Sequence, residues 1–227
     1  MLRAVIFDFD GVITDSEILH FRTFNKVLKQ FKFQITLQDY YKNYLGLSDL
    51  DLFSLFSEKG YINIGTKSIK NLTGEKNELF EQLAKTEGKI IEGVRDFLEI
   101  LSQNDIPIAI CSGALLPEIE LILDDAKLRH YFKVIVSAEH VKKGKPSPEG
   151  FLLAIKRLNS SIGDNILTKE CIVIEDSRWG LEAAIAAKMH TIAVTNSYEA
   201  KELSMAEKIV SNLKDLTIDD LKQLCND

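Results

Sequence analysis

The chain has 227 residues, of which 45% are hydrophobic and 27% charged; that balance is ordinary for a globular protein and excludes a disordered, collagen-like or wholly coiled-coil chain. At about 150 residues per domain, the length corresponds to roughly one and a half domains. The 28 basic residues against 34 acidic ones leave a net charge of −6, which argues against a broad nucleic-acid surface. Three cysteines without a CxxC spacing exclude a zinc knuckle or a thioredoxin-like motif. Cys111 and Cys171 sit in apolar runs and are expected to be buried, reduced thiols. The first residues are apolar only briefly and read as neither a signal nor a transit peptide. No run approaches the ~18 apolar residues needed to span a membrane. The expectation is a cytoplasmic monomer with no membrane or nucleic-acid partner.

In chain order, Ala4 to Phe7 is an apolar, β-branched run that reads as a buried strand, ended by Asp8-Phe9-Asp10-Gly11. Thr14 and Glu17 have the spacing of a capping box. Behind them Ile18, Phe21, Val27, Leu28 and Phe31 recur at helical intervals over 17–32. Residues 50–56 and 78–85 also read as helices, and no convincing strand lies between about 15 and 90. From there strand and helix alternate. Strands are predicted at 106–111, 133–136, 171–174, 191–194 and 208–210. Helices are predicted at 94–101, 118–123, 148–158 and 180–189, the third with Ser147 as N-cap and Pro148 at its first position. Such alternation implies an α/β fold, a Rossmann-like parallel sheet covered on both faces. Residues 1–14 and 91–227 would form this core, with an α-helical domain at 15–90 inserted after the first strand.

Ligands of parallel α/β sheets bind beyond the carboxyl ends of the strands. The first strand is followed by Asp8 and Asp10, the second by Ser112 and Gly113, the fourth by Glu175 and Asp176, and the turn after the third leads to Lys145. Clustered carboxylates repel unless a cation joins them, and oxygen donors without His or Cys favour Mg²⁺. Acids, one Lys, one Ser and Mg²⁺ together suit a phosphoryl group. Neither GxxxxGK[ST] nor GxGxxG occurs, so the phosphate is not held as in the usual nucleotide sites. The nucleophile is then a carboxylate. Asp8, at the rigid strand end, could form an aspartyl-phosphate, and Asp10 could protonate the leaving oxygen and then activate water.

These residues resemble the motifs of the haloacid dehalogenase-like hydrolases. Asp8-Phe9-Asp10-Gly11-Val12-Ile13-Thr14-Asp15-Ser16 is similar to the DxDGxxxDS first motif. Cys111-Ser112-Gly113 is similar to the second, Lys145 in Gly144-Lys145-Pro146-Ser147-Pro148 to the third, and Glu175-Asp176-Ser177 to the fourth. The resemblance implies Asp8 as nucleophile and Asp10 as acid/base. It implies Mg²⁺ on Asp8, the Asp10 carbonyl and Asp176, with Glu175 nearby or also a ligand, and Ser112, Gly113 and Lys145 on the substrate phosphate. The dehalogenase branch lacks the second Asp, so phosphoryl transfer is expected.

The helical insert resembles the cap of the branch that holds β-phosphoglucomutases and small-molecule phosphatases. His20 and Lys76-Asn77 fit that branch, where cap residues contact substrate or position the acid/base Asp. The loop Leu45-Gly46-Leu47-Ser48-Asp49-Leu50 departs from it: the mutase has an Arg after the Ser to grip a second phosphate, which Asp49 would repel. Leu115-Leu116-Pro117 likewise stands where the mutase offers Lys-Asn. The expected activity is therefore Mg²⁺-dependent hydrolysis of a small-molecule, sugar-type phosphomonoester, with a sugar-phosphate mutase as the alternative. Trp179 is expected to pack at a helix start, and His130, His140 and His190 to have no ligand role.

Overall fold

A computed structural model describes residues 1–45, 47–65 and 67–226. Among them the apolar β-branched runs become the strands β1 (Ala4–Phe7), β2 (Ile108–Cys111), β3 (Phe132–Val136), β4 (Cys171–Glu175), β5 (His190–Val194) and β6 (Lys208–Val210). They form one parallel sheet in the order β3-β2-β1-β4-β5-β6. The helices are α1 (Glu17–Leu28), the single turn α2 (Leu37–Asp39), α3 (Asp49–Glu58), α4 (Ile69–Glu87), α5 (Val94–Gln103), α6 (Leu116–Asp125), α7 (Glu149–Ile162), α8 (Arg178–Ala186) and α9 (Ile218–Leu224). No helix of the described residues is long and apolar enough to cross a membrane.

The chain divides into two compact units, Met1–Asp15 with Lys89–Asp227, and Ser16–Gly88. In the sheet unit, β1 and β2 are buried at every position, because helices cover both faces. Side chains alternate across the sheet. Ala4 and Ile6 pack with Ala109, Val173, Phe151 and Leu158 on one face. Phe7 meets Phe97 of α5 and Phe132 edge-on, at ring distances of 6.1 and 6.3 Å. The unit's two ends of the insert are hydrogen-bonded together: Asp15 N–H donates to the Lys89 carbonyl at 3.3 Å, and the Thr14 hydroxyl donates to the same oxygen at 3.0 Å.

The helical unit has its own interior. Phe24, Leu28, Tyr40, Leu52, Phe53, Phe56 and Leu72 form one buried cluster. It is rich in rings, among them Phe24 against Phe53 at 5.3 Å and Tyr44 against Phe56 at 5.1 Å.

The structure moves several expected boundaries. The strand expected from residue 106 begins at Ile108, because Pro107 has no N–H to give and its carbonyl accepts from Val5 instead. The expected capping box of Thr14 and Glu17 does not form. Ser16 is the N-cap, Thr14 is bound to Lys89, and Glu17 accepts from the Tyr40 hydroxyl at 2.7 Å. Helix α7 starts one residue late, with Pro148 as N-cap and the Glu149 N–H on the Ser147 hydroxyl at 3.3 Å. The segment expected as 78–85 is one long helix, Ile69–Glu87, capped by the Ser68 hydroxyl on the Asn71 N–H. Cys111, Cys171 and Cys225 are all buried free thiols.

Candidate active site

The strand order reverses between β1 and β4, and the residues that follow these two strands carry the chemistry. Phe7 pairs with Ile110 on one side and Ile174 on the other. The next residue, Asp8, holds the sheet register by donating its N–H to the Ile174 carbonyl at 2.9 Å. Ser112 does the same to Val136 at 2.9 Å. Strand ends thus fix these backbones before any side-chain contact is made.

Asp8, Glu175 and Asp176 are buried, and each offers a carboxylate oxygen within 4.8 Å of the others. Three acids this close in a buried place need positive charge. Part of it is Lys145, whose Nζ lies 2.7 Å from Asp8 Oδ1 and also donates to Glu175 Oε1. The Lys145 ammonium also lies 5.5 Å from the Phe151 ring centroid. Burial alone would lower the Lys145 pKa, but the Asp8 and Glu175 carboxylates outweigh it and hold the group above its ordinary value. Burial, and then the Asp8 charge, push the Glu175 carboxyl up. The other Glu175 oxygen accepts from the Ser177 hydroxyl at 2.9 Å and from the Asp176 and Ser177 N–H groups at 3.2 Å. The donor set fits a hard divalent cation: carboxylate oxygens, buried, with no His or Cys in the cluster. The neighbouring Cys111 thiol is pushed up to about 12 by burial and stays protonated.

Two glycines make room for these carboxylates. Gly11 has φ +77°, and a Cβ there would stand 1.8 Å from Asp176 Oδ2. A Cβ at Gly180, on the first turn of α8, would stand 1.7 Å from Glu175 Oε1.

Asp10 lies beside Ser112, whose hydroxyl donates to Asp10 Oδ2 at a long 3.5 Å and accepts from the Ala114 N–H at 2.9 Å. Gly113 is exposed, with open space where a Cβ would be. Within one unit, contacts therefore draw Asp8, Lys145 and Glu175 together with Asp176 beside them, and separately join Asp10 to Ser112, at the ends of β1, β2 and β4 and the turn after β3.

His20 and Lys76 come together in the helical unit. Lys76 is fully buried, with Nζ 2.7 Å from His20 Nδ1 and 2.9 Å from Asp49 Oδ2. Its ammonium also faces the Phe80 and Phe24 rings at 4.9 and 5.4 Å. The His20 ring stacks on Phe80 at 4.2 Å. Burial, and then the Lys76 charge, hold its pKa well below the usual 6.5, so the ring is neutral and Nδ1 is the acceptor. Gly46, in the loop that precedes Asp49, lies outside the described residues. Trp179, expected to pack, is 48% exposed. His140 Nδ1 accepts from the Ser137 N–H at 3.0 Å, which is a turn contact.

Sequence reasoning missed two partners. Ser177 both holds Glu175 and caps α8 by accepting from the Gly180 N–H at 3.1 Å; its place just before a helical run was the available signal. The Asp49–Lys76 pair joins α3 to α4, and no spacing in the sequence announces it.

Comparison with known proteins agrees with this architecture. Residues 5–194 match the haloacid dehalogenase-like hydrolase family, and the chain belongs to that family. It is 31% identical over 84% of its length to the phosphorylated carbohydrates phosphatase of Thermotoga maritima, covering 84% of that protein. It is 28% identical over 84% of its length to the fructose-1-phosphate phosphatase of Escherichia coli, covering 95% of that protein. Among solved structures it resembles the β-phosphoglucomutase of Clostridium difficile, with TM-score 0.84, 25% identity and coverage of 100% of this chain and 98% of that one.

Proposed function

We propose that the protein is a Mg²⁺-dependent phosphatase that hydrolyses a small, sugar-type phosphomonoester through an aspartyl-phosphate on Asp8. The observation that carries this reading is the Asp8 carboxylate. It stands at the end of the central strand, ion-paired to Lys145 at 2.7 Å and inside a buried carboxylate cluster. The relatives named for phosphatase activity on phosphorylated carbohydrates support the substrate class.

Asp8, Asp176 and the Asp10 carbonyl would hold Mg²⁺, with Glu175 beside it as the residue that orients Lys145. Bound there, the ion would offset charge on the phosphoryl oxygens and on the attacking carboxylate. The Asp8 oxygen attacks phosphorus, and the bond to the leaving oxygen breaks. Asp10, protonated at the start, gives its proton to that oxygen. Lys145 and the Ser112 hydroxyl, with the Gly113 N–H, hold the equatorial oxygens as charge shifts. Water then attacks the phosphoryl-Asp8 and loses a proton to Asp10, which restores both residues and releases inorganic phosphate. His20 and Lys76 would contact the leaving group or position Asp10.

The test is phosphate release from p-nitrophenyl phosphate and a panel of sugar phosphates, with and without Mg²⁺. Hydrolysis that needs Mg²⁺ supports the reading, and turnover at full rate after chelation overturns its metal dependence. A mutase is the second reading, favoured by the likeness to β-phosphoglucomutase. Conversion of β-glucose 1-phosphate to glucose 6-phosphate with a bisphosphate activator, without net phosphate release, would establish it instead.

A further inference from the structure

Lys145 reaches Asp8 and Glu175 from a loop on the surface. Lys142, Lys143 and Gly144 before it are exposed, and so is Pro146 after it. A lysine carries its charge on a flexible stem, so the ammonium stays at Asp8 only if the backbone beneath it is held. Glu149 does the holding. Its carboxylate accepts from two consecutive loop amides, the Lys142 N–H on Oε1 at 2.9 Å and the Lys143 N–H on Oε2 at 3.1 Å. Both oxygens are engaged, and a charged acceptor makes such bonds roughly twice as strong as a neutral one. Two further bonds tighten the turn between these amides and Glu149. The Ser147 N–H donates to the Gly144 carbonyl at 3.0 Å, and the Glu149 N–H donates to the Ser147 hydroxyl at 3.3 Å. Residues 142–149 thus form a ring closed by the carboxylate, with Lys145 inside it.

The ring is anchored to the sheet by the helix that Glu149 begins. Gly150, the second residue of α7, lies so near β2 that a Cβ there would stand 2.7 Å from Cys111 Sγ. Phe151, Ala154, Ile155 and Leu158 of the same helix are buried in the core of the sheet unit. We propose that Glu149 is a positioning residue for phosphoryl transfer. By bracing the Lys142 and Lys143 amides against α7, it holds Lys145 Nζ at Asp8 and Glu175, and keeps it in place as negative charge moves from Asp8 onto the phosphoryl oxygens. The inference rests on the phosphatase reading above.

The experiment measures kcat and KM on p-nitrophenyl phosphate with Mg²⁺, and urea unfolding without it. Glu149→Gln keeps the size of the side chain but turns an NH₂ group towards one of the two amides. In folded protein kcat should fall about tenfold while KM changes by less than about twofold. An unchanged kcat, or a loss confined to KM, would show that the carboxylate only packs the loop and would overturn the proposal. Glu149→Gln should also lower the urea midpoint less in a Lys145→Met background than in wild type, because the contacts it protects are already gone there. Equal lowering in both backgrounds overturns the link to Lys145. Wild-type protein supplies a measurement that needs no variant to fold. Its Lys142 and Lys143 amides should be protected in native-state hydrogen exchange, although both residues are exposed. Exchange at the rate of an unstructured peptide overturns the brace. Failure of the phosphatase reading is distinct: wild-type protein would then release no phosphate from the ester, while those two amides stayed protected.

Discussion

The sheet unit and the helical unit each bury a lysine ammonium against carboxylate, and they do so differently. Lys145 faces two acids, Asp8 and Glu175, with Asp176 in the same cluster. Negative charge exceeds positive there, and the excess is a standing demand for a cation. Lys76 faces one acid, one neutral imidazole and two rings, and its account is closed. An unbalanced buried cluster is suited to chemistry, and a balanced one to recognition or to packing.

Four substitutions would break or sharpen this contrast. The largest effect is expected for Asp8→Asn, which removes the nucleophile. Turnover of p-nitrophenyl phosphate should fall by at least about 10³-fold, and persistence of the wild-type rate would end the assignment of Asp8. Lys145→Met comes next. It leaves Asp8 and Glu175 facing each other without their cation, so the fold should lose roughly 3 kcal/mol in urea unfolding without divalent ion. Added Mg²⁺ should recover part of that loss, because it supplies the missing charge. Lys76→Met should cost less, about 1 kcal/mol, since the remaining Asp49 is partly exposed to water and keeps the Asn77 amide, and the methionine fills the same space between Phe24 and Phe80. A larger cost than that of Lys145→Met would reverse the contrast.

The smallest effect concerns pH. The His20 ring has a pKa well below 6.5 when folded, so below pH 6.5 the unfolded chain binds a proton that the folded chain does not. Stability contributed by the neutral ring is complete above pH 6.5 and is lost as pH falls towards the folded value. The loss should show as a slope in stability below pH 6.5, measured by urea unfolding across that range. His20→Gln should flatten that part of the stability profile; an unchanged slope would show that His20 is not its source.

The two units were also unequally legible. Strand ends advertise themselves: an apolar β-branched run followed by Asp8, Ser112 or Glu175 can be read without knowing any contact. The parallel sheet then brings those ends to one edge, because its register leaves no other arrangement. The helical unit offers no such rule. His20, Asp49 and Lys76 meet through the packing of α1, α3 and α4, and their separations in sequence follow no period. Helical spacing revealed α1 and only parts of α3 and α4. The true start of α4, at Ile69, was hidden because Asn71, Thr73 and Gly74 are weak helix formers. The capping box read from Thr14 and Glu17 failed for a related reason. Both side chains had better partners, Lys89 and Tyr40, that lie far away in the sequence.

The paired bonds at Asp15 and Lys89 have a consequence for how such a protein can change. The chain leaves the sheet unit and re-enters it at two points that are hydrogen-bonded neighbours. The seam is closed by backbone atoms and one threonine, and a seam of that kind does not record the length of what is sewn into it. The entropy of closing the loop grows only with the logarithm of its length. A shorter or longer insert could be spliced between these two residues with the catalytic strands left in register, and selectivity could then be exchanged as a cassette while the reaction stayed the same.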